Sequence, residues 1–374
     1  MKTFDAGTYI KQGYYKSFQP TFINKDWKLE DMEVINLLSQ ADRQLGRLDM
    51  YSEYIPNIDL FISMHIAKEA TQSSKIEGTN TNVEEVFLER EEVSQEKRND
   101  WEEVQNYIQA MNKAIQLLDG LPFSSRLIRE THKILLQGVR GEHKQPGNFR
   151  TSQNWIGGAS INDATFIPPA HTSIPELMSD IEKFANDDFN KFPELLKIAL
   201  LHYQFETIHP FLDGNGRVGR LMITLYLVSK NILKKPILYL SDFLERNRSL
   251  YYDNLMMVRE KGNLDQWFKF FLVGVIETAK SSIKTFDGIL QLQKQIDTKL
   301  RLMGSRAGNA QKIMNYLYQK PVIHAQKIAE VAGLSPATAY KLLAEFEKLG
   351  ILVEITGAQR GKLYVFKEYI AYFG

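Results

Sequence analysis

His209-Pro210-Phe211-Leu212-Asp213-Gly214-Asn215-Gly216-Arg217-Val218-Gly219-Arg220 lies between two apolar-periodic segments, Glu194 to Ile208 and Val218 to Lys230. It reads as the end of one helix, a glycine-bearing loop and the first turn of a second helix. That arrangement suits anions. Gly214 and Gly216 allow left-handed backbone that turns N–H groups inward as a nest, and the following helix presents unpaired N–H groups and a positive dipole end. Arg217 and Arg220, three apart, share a helix face and offer planar forks to phosphate oxygens, while Asp213 adds a hard oxygen ligand suited to Mg²⁺. His209, at the other rim, is the candidate base.

Taken singly, a histidine at a helix end, a loop aspartate, a Gly-Asn-Gly turn and an arginine pair are each more often structural than functional. Their coincidence within twelve residues argues otherwise. No Lys-Ser or Lys-Thr follows the glycines, so this is not a Walker loop, and it is not a His-Glu-x-x-His zinc motif.

The segment resembles the Fic-domain signature, His-x-Phe-x-Asp/Glu-Gly-Asn-Gly-Arg-x-x-Arg, with every specified position present. The resemblance implies a mainly α fold, a Fic-type helical bundle with a small β-hairpin flap, and transfer of AMP from ATP to a Ser, Thr or Tyr hydroxyl of a protein, self-modification included. It implies that His209 takes the proton of the attacking hydroxyl and that Asp213 holds Mg²⁺. Asn215 and the Gly214 and Gly216 amides would hold the α- and β-phosphates, Arg217 the β/γ end and Arg220 the γ-phosphate. Val218 and Gly219 would belong to the same nucleotide-binding segment, with Phe211 as packing. The chemistry is consistent, since displacement at phosphorus needs mainly positioning and charge neutralisation, and a neutral imidazole is suited to accept a hydroxyl proton.

The chain has 374 residues, enough for two or three domains, with 44% hydrophobic and 24% charged side chains, values ordinary for a globular protein. Its 46 basic and 45 acidic residues give a net charge of +1, so no whole-chain field favours nucleic acid or an anionic membrane. Cysteine is absent, which excludes disulfides and thiolate metal sites. With no apolar run at Met1 to Tyr15 and none of membrane-spanning length, a cytoplasmic location is expected.

Upstream of the motif, residues 1 to 27 are aromatic-rich and read as an extended arm over the body. A helical stripe follows at Leu38, Ala41, Leu45 and Leu48, and a second helix is expected from about Ile58 to Glu77. At its end Ser73 and Glu77 share a face and Gly78 stands as a helix stop. By its residues alone this is a terminated helix with a solvated glutamate. The Fic resemblance implies more, because a Ser/Thr-x-x-x-Glu-Gly/Asn segment resembles the family's inhibitory helix, with Glu77 paired to Arg220. Such a carboxylate would occupy the cation meant for the γ-phosphate and repel or misplace ATP, and the same glutamate could instead position a water for AMP removal. Thr81-Asn82-Val83-Glu84 has capping-box spacing, and residues 89 to 103 form a dense run of both charges that reads as a solvated helix surface or connection.

Residues 151 to 169 read as two short strands joined by a loop. The resemblance makes this a flap whose edge aligns a target by main-chain pairing, with Asn154, Trp155, Ile156 and Gly157 bordering the nucleotide. Ser173 has capping-box spacing with an early Pro175, and Ser241 is placed to cap the helix carrying Tyr251 and Tyr252, a pair that matches the family's Tyr-Tyr near the nucleotide. Arg259 departs from relatives that bind adenine, some of which carry Asn in this vicinity.

After a helix over about residues 264 to 300, the linker 303 to 309 precedes a helix-turn-helix, with Ser335 as N-cap and Pro336 at the first helical position, and a hairpin flanking Gly357 to Gly361. This order resembles a winged helix-turn-helix. Thr338, Tyr340, Lys341 and Lys348 on the recognition helix and Arg360 and Lys362 on the wing would face DNA, while Glu345 and Glu347 dilute the charge. DNA contact, protein contact and homodimer formation are all open to such a module. The expected division is an N-terminal helical region with the inhibitory helix (1–104), a Fic catalytic domain with following helices (105–302) and the winged helix-turn-helix (308–374). Two other functions remain open: a DNA-binding regulator whose Fic domain senses nucleotide, and a de-AMPylase or transferase of another phosphate-linked group.

Overall fold

The computed structural model describes residues 4–55, 57–357 and 361–374. Strands β1 (Gly7–Gln12) and β2 (Tyr15–Pro20) form an antiparallel hairpin. Helices α1 (Met32–Tyr54), α2 (Asp59–Ile76), α3 (Arg98–Leu117), α4 (Ser125–Leu135), α5 (Ile174–Asn186), α6 (Glu194–Ile208), α7 (Asn215–Ser229), α8 (Ser241–Arg246), α9 (Arg248–Lys261) and α10 (Leu264–Arg301) build the body. The C-terminal module comprises α11 (Ala307–Gln319), β3 (Val322–His324), α12 (Ala325–Ala332), α13 (Pro336–Lys348), β4 (Val353–Glu354), β5 (Leu363–Val365) and α14 (Lys367–Ile370).

The packing follows from which helices are apolar on one side and which on all sides. Capped by Asp31, whose Oδ1 accepts the Glu33 and Val34 amides at 2.8 and 3.0 Å, α1 buries the stripe Val34, Ala41, Leu45 and Leu48 against α10. By contrast α6 buries Leu195 through Ile208 without interruption, and α7 buries nearly as much. These two helices therefore form the centre, and the loop between them is held at the heart of the fold. The 38-residue α10, about 57 Å long at 1.5 Å per residue, runs from this core to the C-terminal module.

In that module the sheet order is β3-β5-β4, and Ser335 Oγ accepts the Thr338 amide at the start of α13 as expected. The β3 strand was not expected. The linker also differs, with a 3-10 turn at Gly304–Arg306 running directly into α11. Arg360 lies outside the described residues. The module packs on α2, where the Phe61 ring stands 5.2 Å from that of Tyr318 and Ser63 Oγ donates to Gln319 O at 3.0 Å.

Local readings failed where side chains found other partners. The N-terminal arm is a hairpin, and its Phe18 amide donates to Ile167 O at 2.9 Å, attaching it to the flap. The flap itself is no pair of regular strands: one isolated bridge, Ile156 with Phe166, joins its sides. The capping box forms one residue later than expected, between Asn82 and Glu85. Ser173 makes no side-chain cap. Ser241 is the first residue of α8, where its hydroxyl donates to buried Glu69 at 2.6 Å, and Tyr251 and Tyr252 stand on the separate helix α9. Position 105 lies within α3.

Candidate functional site

A cavity of about 550 Å³ opens where the α6–α7 loop, the flap, α9 and the end of α2 converge. Its floor is the signature loop. Phe211 is fully buried, stacked on His132 with ring centroids 3.7 Å apart. His132 accepts the Gly147 amide at Nδ1 (2.8 Å), which places its proton on Nε2, 3.0 Å from Asp213 O. The buried Asn215 side chain clamps the loop from inside, accepting Phe211 N at 2.8 Å and donating to Phe211 O at 2.9 Å. The amide oxygen and one of the two amide N–H groups of Asn215 are thus engaged by the backbone, and its second N–H and its main chain remain for an anion.

The glycines divide the work. Gly214 has φ +73° and takes the left-handed conformation that begins α7, whereas Gly216 is helical, which corrects the expectation that both would be left-handed. Gly216 matters for close approach, because a Cβ there would collide with Glu77 Oε1. Gly219 lies beneath the cavity, where a Cβ would collide with Glu206 Oε1, and Val218 is core. Neither Val218 nor Gly219 lines the cavity.

His209 ends α6 in the left-handed conformation (φ +49°, ψ +60°), which turns its ring to the cavity wall. A non-glycine residue held there is strained backbone that its surroundings must enforce. The enforcing residue is Arg150, a buried guanidinium that donates to the carbonyls of Ser152 (3.0 Å), Pro169 (2.6 Å) and His209 (3.0 Å), and whose amide donates to Pro210 O (2.8 Å). Asn154 assists, donating to Phe211 O at 2.9 Å; it supports the loop and does not line the cavity, contrary to the expectation for it. Burial, reinforced by the Arg150 and Arg259 cations, lowers the His209 pKa to about 3, so the imidazole is neutral at pH 7.

Both motif arginines meet carboxylates from the N-terminal helices. Arg220 donates through Nε to Ser73 Oγ (2.9 Å) and through Nη2 to Ser73 O (2.9 Å) and Glu77 Oε1 (2.6 Å). Burial opposes a charge on either partner, but the pairing outweighs it, holding Glu77 below its ordinary value and Arg220 above. Gly78, with φ +100°, follows the helix end and turns the chain away. Arg217 donates through Nη1 to Glu103 Oε2 at 2.8 Å and stands 3.8 Å from Asp213 Oδ1.

Trp155, Ile156, Gly157, Tyr251 and Tyr252 line the opposite wall. Tyr251 is buried, its hydroxyl 2.8 Å from His202 Nε2, and Tyr252 is half-exposed. Arg259 closes this end, its guanidinium 4.0 Å from the Phe166 ring centroid and its Nε donating to Thr207 Oγ1 at 3.1 Å. Glu206 shares the cavity, and burial raises its pKa to about 7.

Sequence reasoning missed Arg150, His132, Glu206 and Glu103. For Glu103 a signal existed: with Tyr107, Ala110 and Ala114 it recurs at spacings of four, three and four, on the buried face of α3. For Arg150 no local signal marks it, since its partners come from three separate segments.

Three segments of the chain match known family models. Residues 35–116 match the family model described as Fic/DOC family N-terminal and residues 122–227 that described as Fic/DOC family, together about half the chain. Residues 308–353 match a winged helix-turn-helix DNA-binding model. A protein adenylyltransferase Fic of Drosophila willistoni is 28% identical over 155 residues, 41% of this chain and 28% of its own length. Protein adenylyltransferase fic-1 of Caenorhabditis briggsae is 24% identical over 196 residues, 50% of this chain and 34% of its own. The chain thus spans about a third or less of these curated relatives. Among solved structures, a Fic family protein from Desulfovibrio desulfuricans shares the fold with a TM-score of 0.57 at 18% identity, covering 91% of this chain and 98% of that one. Fic-1 of Caenorhabditis elegans gives 0.52 at 20% identity, covering 70% and 74%.

Proposed function

Since the chain belongs to the Fic/DOC family, we propose that its cavity transfers AMP from ATP to a protein hydroxyl and rests in an inhibited state. One observation carries this reading: a neutral imidazole, a half-exposed carboxylate and a helix N-terminus with two guanidiniums converge on one cavity. His209 accepts the proton of a Ser, Thr or Tyr hydroxyl as its oxygen bonds to the α-phosphorus, and pyrophosphate departs with the electrons of the broken bond. The first turn of α7 and Arg217 hold the phosphates and neutralise the charge that spreads over them. Relatives named as protein adenylyltransferases support the choice of reaction.

Asp213 fits a divalent cation. Its Oδ1 is taken by the Gly214 amide at 2.6 Å, while Oδ2 has no hydrogen bond among the described residues and the side chain is 37% exposed. Among the described residues no cluster of three metal-binding side chains is present, and Mg²⁺ held through one carboxylate and the substrate phosphates requires none. The ion would neutralise phosphate charge.

Glu77 supplies the inhibition. Its carboxylate lies over Gly216 and holds Arg220, so it occupies the cradle that the phosphates need and puts like charge where they would bind. Wild type, Glu77→Gly and His209→Ala, incubated with Mg²⁺ and ATP labelled on the α-phosphate, test both parts. Labelled protein is expected strongly with Glu77→Gly, weakly with wild type and not with His209→Ala. Failure of Glu77→Gly to label itself or any lysate protein would overturn AMP transfer. The same glutamate beside His209 is also placed to orient a water, which makes AMP removal the rival activity.

The exposed Thr338, Tyr340, Lys341 and Lys348 on α13, together with the match to a DNA-binding winged helix, favour DNA as an additional partner. A cytoplasmic location belongs to the same proposal, as a compartment that supplies ATP; no helix among the described residues is long and apolar enough to cross a membrane.

A further inference from the structure

The mouth of the cavity holds a cation that the mechanism above does not use. After α4 the chain turns through Gly138 and Gly141, both at positive φ. This turn lies flush against the loop of the signature, since a Cβ at Gly141 would stand 2.8 Å from Asp213 Oδ2. Arg140 is therefore anchored one residue from the carboxylate that fits Mg²⁺. Its side chain lines the cavity yet is 68% exposed.

Glu103 connects Arg140 to the signature. Its Oε2 takes Arg217 Nη1 at 2.8 Å, and its Oε1 stands 3.4 Å from Arg140 Nε. One carboxylate, itself 2% exposed, thereby spaces two guanidiniums at the same end of the cavity. The contact uses only Nε of Arg140, and neither terminal nitrogen has a partner among the described residues. A planar fork with two free donors, tethered at its third nitrogen, is suited to phosphate oxygens.

Charge points the same way. At this end Arg140, Arg217 and Arg220 face Glu77, Glu103 and Asp213, three cations against three carboxylates. Displacing Glu77 leaves a single positive excess, and that excess would vanish without Arg140. A polyphosphate brings several negative charges, and the most exposed cation is the one able to follow its far end.

We propose that Arg140 is a further polyphosphate-binding residue, held by Glu103, that grips the β- and γ-phosphates at the cavity mouth. This rests on the nucleotide reading of the site but not on transfer chemistry. Because AMP lacks the groups Arg140 would hold, ATP and AMP affinities separate a binding role from a structural one.

The test is made in the 374-residue chain carrying Glu77→Gly, where the cradle is open, by calorimetric titration with ATP and separately with AMP. Adding Arg140→Ala is expected to weaken ATP about tenfold, the scale of one lost charge-assisted pair, and to leave AMP unchanged; Arg140→Lys recovers part of the loss. Arg140 is exposed, so neither change threatens the fold. Equal weakening of ATP and AMP, or no weakening of either, overturns the proposal. A selective loss of ATP in a chain that labels no protein upholds Arg140 while sinking AMP transfer, and a Glu77→Gly chain that binds no ATP sinks both.

Discussion

At the residue scale the site rests on buried neutral groups, and their protonation sets a pH limit. Burial lowers His65 to about 3, and His132 and His202 to about 4, from an ordinary 6.5. A histidine whose folded pKa is depressed takes up its proton mainly after unfolding, so its contribution is complete above pH 6.5 and is lost as pH falls towards the folded value. Each such group tilts stability by up to about 1.4 kcal/mol per pH unit inside that window. Glu206 acts oppositely: burial raises it to about 7, so between pH 4.5 and 7 the folded form holds the extra proton and gains as pH falls. Glu69 is raised as well. With His209, also lowered to about 3, four histidines act against Glu206, Glu69 and the other carboxyls that burial raises, Asp42, Glu103 and Asp180, and the histidines are expected to outweigh them between pH 6.5 and 5. The urea midpoint is expected to drop between pH 6.5 and pH 5, and a flat or rising midpoint would mean that these histidines are not held neutral. His132 has the most direct consequence for the site, since a proton on Nδ1 would break its bond from the Gly147 amide and loosen Phe211 and Asp213.

At the scale of elements, α2 would carry the proposed inhibition, and it holds Arg220 by more than the glutamate. The Ser73 hydroxyl and carbonyl both accept from the guanidinium. Ser73→Ala removes the hydroxyl contact and leaves the carbonyl and Glu77 in place, so it should relax the pair without opening the cradle. The expected outcome in the α-phosphate labelling assay is a several-fold rise over wild type, on the scale of one hydrogen bond to a charged group, and well short of Glu77→Gly. Labelling equal to wild type would assign all restraint to Glu77. How much of this was legible depended on whether partners were close in sequence. The helix-loop-helix, the Gly214 turn and the Ser335 cap are local, and the chain pattern alone indicates them. The polar side chains were harder, because Asn154 and Asn215 carry groups that suit a phosphate or a backbone equally, and only the folded loop shows which of them the backbone engages. Glu103 sat in a charged run that read as solvated; its partner lies 114 residues away, and only the helical face it shares with Tyr107 betrays its burial. Ser241 likewise left the cap it was expected to make for a buried carboxylate 172 residues distant.

For the whole molecule, the consequential fact is that one helix touches both the candidate site and the C-terminal module. The 18-residue α2 ends at Arg220, and its first half packs on α11 and α14 through Phe61, whose ring meets Tyr318 at 5.2 Å and Tyr369 at 6.4 Å. Further along, His65 meets Phe373 at 5.0 Å. A helix hydrogen-bonded along its length moves largely as a unit, so loss of the upper contact should be felt at the lower one. Phe61 is fully buried, and its replacement by Ala should cost about 3–5 kcal/mol through lost burial and the cavity left behind. We expect Phe61→Ala to raise hydrogen exchange in α11 and α14 and, in the same protein, to raise labelling above wild type because Glu77 and Ser73 are no longer firmly seated. The second effect decides the matter. Faster exchange with labelling unchanged would mean that α8 and Tyr107, which fix α2 through buried Glu69, hold the inhibitory end by themselves. The C-terminal module would then be attached to the inhibitory helix without controlling it.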